Sequence, residues 1–194
     1  MSSNARKWLA VLVTIVGFYV VHEGAHLMLA LVFHVYQGIH LYAFGMLGVQ
    51  VLIDATALSA RQLAVFGVAG SVASLLVAYL LVFMRKPLLT LQSKPAKAIG
   101  YYLTVGFLML DPVNQAVISA FVGGGDVNGI MLFGIPAAAV RLVFSGVGAV
   151  NLVICAKVIY PAYKQSFAAG ENQGFDQGDQ GCQEGIMETK GGSG

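Results

Sequence analysis

Two histidines and a glutamate stand in the stretch FYVVHEGAHLMLALV, residues 18–32. The run around them is apolar enough for a membrane-spanning helix. Positions i and i+4 share a helix face, so His22 and His26 can bind one Zn2+ ion while Glu23 reaches a water held there. Zinc lowers the pKa of such a water to about 7, and Glu23 can take its proton and pass it to a leaving amine. The bland alternative is an accidental spacing, with both histidines hydrogen-bonded to neighbouring helices. Ionisable groups at bilayer depth are costly unless paired or hydrated, so three polar residues in one apolar run favour the metal reading. Gly24 and Ala25, between them, fit a crowded helix face or ordinary small-residue packing.

A catalytic zinc usually has three protein ligands and an open position. The third must come from another span at the same depth. At 1.5 Å per residue, His22 lies about 22 Å from Lys7, and Asp111 about 21 Å from Lys97 on a parallel span. Asp111 is therefore the first choice. Asp126, in VGGGDVNGI, is the alternative third ligand, although a plain reading puts it near the outer interface as a helix cap. Arg141 lies about 24 Å from Lys157, again near site depth, and should pair with whichever aspartate is not on the metal. His34 and His40 have no helical partner at metal spacing and read as interfacial or loop residues.

The elements that must position these residues follow from composition. The chain has 194 residues, 57% hydrophobic and 10% charged, whereas a soluble domain carries about 25% charged residues. It reads as an integral membrane protein. A net charge of +2 without a basic, aromatic-interleaved run gives no footprint for nucleic acid. Cys155 and Cys182 have no spacing that suggests a disulfide framework or a metal cluster.

Four segments reach the roughly 20 apolar residues that a span needs: residues 8–33, 62–84, 99–122 and 130–160. The first begins like a secretory signal but runs on to Phe33 without a cleavage site, so it is read as an uncleaved span. The last contains Gly134 and Pro136, which should split off a short first piece. Between the first two spans, GVQVLID alternates in part and suggests a strand or hairpin, tolerated at membrane depth only against protein or a water-filled cavity. Arg6, Lys7, Arg85, Lys86, Lys94, Lys97, Lys157 and Lys164 all fall on one side of a four-span arrangement, which makes that side and both termini cytoplasmic. Residues 166–194 form a Gly- and Gln-rich tail expected to be disordered. The expected fold is an all-α polytopic membrane protein over residues 1–165, with about four transmembrane helices and a short hairpin or re-entrant segment after the first.

Three stretches together resemble the site-2 protease family of intramembrane zinc metalloproteases. HEGAH in an apolar span is the strongest. AGSVASLLVAYLL is similar to the family's G-x-x-x-N/S/G motif, with Gly70 and Ser74 at the matching positions. LMLDPVNQ looks like its aspartate motif, with Asp111 as ligand. That motif carries Asn and Pro before the aspartate, whereas here Pro112 and Asn114 follow it; Asp126, after Gly125, can be matched instead. The segment after the first span is similar to the family's membrane-associated hairpin, which guides an unwinding substrate. The resemblance implies zinc as cofactor, a transmembrane protein substrate in the lipid bilayer of the plasma membrane, and regulated intramembrane proteolysis.

Two other classes compete. GGGD fits the G-x-G-D of intramembrane aspartyl proteases, with Asp111 as second aspartate, and two carboxylates sharing a proton is sound chemistry. That reading leaves HEGAH unexplained. A transporter or proton relay could use His22, Glu23, Asp111 and Arg141.

Overall fold

The computed structural model describes residues 2–44, 46–122 and 125–168. Helix α1 (Ser3–Val32) starts at Ser2, whose hydroxyl accepts from the Ala5 N–H at 3.2 Å. It stops where His34 adopts a left-handed backbone, φ 57°. The Val35 N–H then reaches Ala30 O at 2.9 Å and the His34 N–H reaches Leu31 O at 3.1 Å, two of the carbonyls that a helix end leaves bare. This turn throws the chain into an antiparallel hairpin, β1 (Tyr36–Phe44) and β2 (Met46–Ile53). The hairpin returns to α1 rather than leaving it, because Val35 and Val51 bury against Ala30.

Helix α2 (Ala60–Phe83) opens on a reciprocal cap: the Ser59 hydroxyl accepts from Gln62 N–H, and the Gln62 side chain accepts from Ser59 N–H. A short α3 (Arg85–Leu89) leads to α4 (Lys94–Val113), which runs on through a π-helical turn (Asn114–Ile118) into α5 (Ser119–Val122). Helix α6 (Gly125–Met131) is short, and α7 (Ala137–Ile154) continues in helical form to Ala168. Gly134, at φ 80°, makes the break between α6 and α7, as the Gly-Pro interruption predicts.

Among the described residues, four helices are long and apolar enough to cross a membrane: Ser3–Val32, Ala60–Phe83, Lys94–Phe121 and Ala137–Ala168. Helices α1, α2 and α4 pack on one another; α7 packs on α4, and α6 bridges α2 and α7. Large apolar side chains are exposed and many polar ones are buried alongside an apolar core. Trp8, Phe83, Phe121 and Leu142 face outward, while Thr14, His22, His26, Ser71, Ser74, Thr104, Asp111, Gln115 and Asn151 are buried. Large apolar side chains on the exterior, with polar groups buried inside beside apolar clusters, suit a chain whose solvent is lipid. Three interior hydroxyls are satisfied locally: Thr14 donates to Ala10 O, Thr104 to Gly100 O and Ser119 to Gln115 O, each four residues back. The expected all-α polytopic fold with a hairpin after the first span is thus present. The helix reaches Ala168, three residues into the stretch expected as tail; residues 169–194, with Cys182, lie outside the described residues.

One interior contact ties three spans together. Pro112 has no N–H to offer Leu108 O, so α4 carries a bare carbonyl inside the bundle. Asn151 of α7 fills the gap, its Nδ2 donating to Leu108 O at 2.6 Å, and Tyr79 of α2 donates to Asn151 Oδ1 at 2.9 Å. Replacing Asn151 by leucine leaves that carbonyl unpaired and should destabilise the bundle by about 1–3 kcal/mol. A lowered unfolding midpoint in detergent would show this; an unchanged one would mean that water or another donor takes over.

Candidate metal centre

The site begins with α1. His22 and His26 lie one turn apart on its buried face, with ring centroids 5.1 Å apart. Phe18 stacks on His22 at 5.4 Å and Phe66 lies 4.7 Å from His26, so the pair is walled by aromatic rings. Asp126, in the first turn of α6, completes a group. His22 Nε2 lies 3.2 Å from Asp126 Oδ2, and His26 Nε2 lies 3.4 Å from Asp126 Oδ1. Among the described residues, His22, His26 and Asp126 are the three whose donor atoms all lie within 4.8 Å of one another.

Helix α2 makes room for this meeting with a stripe of small residues. A Cβ on Gly67 would stand 2.7 Å from the Gly129 Cα, and one on Gly129 would stand 2.7 Å from the Gly67 Cα. Both must be glycine for α6 to lie against α2, and it is that contact that carries Asp126 inward. One turn further on, a Cβ on Gly70 would meet His22 Nε2 at 2.5 Å and His26 Nε2 at 2.6 Å. Gly70 therefore leaves open the space into which both imidazoles point. Gly24, inside HEGAH, has open space where its Cβ would stand, so helix crowding does not account for it.

Asp111 takes a different place from the one that depth alone suggests. It is fully buried, and its Oδ1 lies 3.2 Å from His22 Nδ1, the nitrogen facing away from His26 and Asp126. The approach is off the axis that a hydrogen bond requires, and Nδ1 has no hydrogen-bond partner among the described residues. Ser74 donates to Asp111 Oδ2, and the Ser71 hydroxyl lies 3.4 Å from Asp111 Oδ1. Asp126, whose plain reading was a helix cap near the outer interface, instead sits where α6 packs back on α2 and lies against both histidines.

Gln115 and Ser71, which the sequence reading did not single out, close the network. Gln115 Nε2 donates to Asp126 Oδ2 at 2.9 Å and to Ser71 Oγ at 3.1 Å. Gln115 lies in the π-helical turn four residues after Asp111, so both reach the same interior. Its signal was present: a polar side chain one turn from a buried aspartate in an apolar span.

Glu23 is half-buried beside the cluster, and its Oε2 accepts from the Val51 N–H of β2 at 3.1 Å. The hairpin thus holds the carboxylate next to the histidines. Gly70 and Ser74 both line the site. Asn114 makes no side-chain hydrogen bond among the described residues. Arg141 forms no ion pair with either aspartate among the described residues, contrary to expectation. Both carboxylates face histidines, and Arg141 instead donates to Ser119 O at 3.5 Å, a carbonyl near the α5 end where a cation is favourable.

The residues fit a metal ion by three observations. Two imidazoles and a carboxylate are donor types that suit zinc. Their donor atoms converge. The cradle beneath them is kept empty by a glycine. Compared with models of protein families, with curated proteins and with solved structures, the chain finds no match in any.

Proposed function

We propose that this chain is a zinc-dependent intramembrane endopeptidase of the site-2 protease type, acting on membrane-spanning protein substrates. The observation that carries the reading is the convergence of His22 Nε2, His26 Nε2 and Asp126 over Gly70, inside a shell of apolar helices. His22, His26 and Asp126 would hold the metal. Zinc, when bound, supplies Lewis acidity to the attacking water and the scissile carbonyl.

Glu23 does the proton work. It accepts the proton of the attacking water and returns it to the leaving nitrogen, its carboxylate kept in place by Val51 N–H. A substrate helix must unwind to offer its peptide bond, because its carbonyls are tied up in helical bonds. The cationic residues at the chain start, in 85–97 and at Lys157 and Lys164 put both termini in the cytoplasm.

The full chain in detergent should bind one zinc per molecule. Asp126→Ala should lower affinity at least as much as His26→Ala. A parent protein without metal would sink the reading. The imidazole held between two carboxylates also favours a second reading, a proton relay; a relay would keep its flux after metal is stripped. An aspartyl dyad has less support. Asp111 and Asp126 face different nitrogens of His22, so no proton is shared directly between them.

A further inference from the structure

One carboxylate satisfies the cluster of Nε2 atoms, yet the interior holds two. Asp111 is fully buried, and among the described residues no lysine or arginine forms an ion pair with it. A carboxylate in that position is costly unless it is well supplied with partners. Its partners are His22 Nδ1, Ser74 and Ser71. Ser74 and Ser71 are on α2, the helix that also contributes Gly70. Ser71 is shared with Gln115, which holds Asp126. The two aspartates are therefore linked through one hydroxyl and one amide, and each meets a different edge of the same imidazole.

An imidazole that binds a metal through Nε2 keeps its proton on Nδ1. A carboxylate against Nδ1 selects that tautomer and fixes the ring plane. We propose that Asp111 is a positioning residue that acts through His22: its carboxylate, anchored by Ser74 and Ser71, holds His22 with Nε2 turned toward His26 and Asp126. The inference rests on the metalloprotease reading and assigns Asp111 a role distinct from that of a ligand. Neither Nδ1 is hydrogen-bonded, but among the described residues His22 Nδ1 has a carboxylate oxygen 3.2 Å away whereas His26 meets a carboxylate only through Nε2. The two ligating histidines are thus unequal.

The test compares the parent with Asp111→Asn, Asp111→Leu and Asp126→Asn in the full chain. Zinc affinity is measured by competition with a chelator, and the ligand shell by X-ray absorption of the zinc-loaded protein. Leucine removes the carboxylate at similar size but takes an acceptor from Ser74 and Ser71, a loss that destabilises a fold, so helicity by circular dichroism checks folding and asparagine serves as the isosteric second variant. The loss of affinity should be graded: larger for leucine, within about 10- to 100-fold, and smaller for asparagine, which keeps an oxygen against Nδ1. The number of nitrogen and oxygen ligands should stay that of the parent in both Asp111 variants and change in Asp126→Asn. Nitrogen-15 spectra of labelled histidine should show the Nδ1–H form of His22 in the parent and a mixed population in the leucine variant, a change that a purely structural role would not produce.

Parent-like affinity in Asp111→Leu would overturn the assignment and leave the metal reading standing. A lost oxygen ligand in Asp111→Asn would make Asp111 a ligand and overturn it as well. A parent that binds no zinc would remove the metal reading, and this inference with it.

Discussion

Gly70→Ala is expected to strip the chain of zinc. The added methyl would stand 2.5 Å from His22 Nε2 and 2.6 Å from His26 Nε2, where nonbonded carbon and nitrogen need about 3.5 Å or more. Helix α1 must then retreat or both imidazoles must turn out of the cluster, and neither leaves Nε2 facing Asp126. Displacing reacting groups by about 1 Å can cost 10²-fold in rate, so cleavage should fall by about 100-fold or more, with zinc near zero per chain. The helix itself should not suffer, because alanine is the better helix former by about 1 kcal/mol. Gly24→Ala is the matched control: open space surrounds its would-be Cβ, so zinc binding should persist. A Gly70→Ala protein that keeps parental zinc would mean that the histidines do not share the space above α2.

Glu23→Gln is expected to stop cleavage while leaving zinc in place. Glu23 is outside the group of three donors, so the metal loses no ligand. Glutamine keeps the shape, and its amide oxygen can still accept from Val51 N–H, so the hairpin keeps its anchor. What disappears is the ability to take and return a proton, an effect worth about 10²–10⁴ in rate. Turnover of a membrane-spanning substrate, measured beside bound zinc, checks both halves. Undiminished cleavage would remove Glu23 from the chemistry. A parent protein that yields no cleaved product but shows a flux altered by this substitution would favour the relay.

Much of the architecture was legible because lipid imposes simple rules. Apolar runs of sufficient length had to be helices, and the segment between the first two spans, broken by glycine and alternating near GVQVLID, had to be something else. The Gly134 and Pro136 break also fell where expected. Arg141 shows the limit. A count of rise along a helix does not name a partner, and Ser119 O proved to be within reach where, among the described residues, the carboxylates were not.

HEGAH alone determined that two imidazoles and a carboxylate would share one stretch of helix, since i and i+4 share a face whatever surrounds them. The choice between Asp111 and Asp126 was not open to the sequence. Both are aspartates near polar residues in apolar surroundings, and rise per residue measures distance along a helix, not across the bundle. The tertiary structure separates them through Gly67 and Gly129, two missing side chains 62 positions apart that let α6 fold against α2. That contact turns Asp126 toward the Nε2 atoms and leaves Asp111 against Nδ1. Close approach between distant segments depends on which Cβ atoms would collide, and only the folded chain brings them near enough for that to matter.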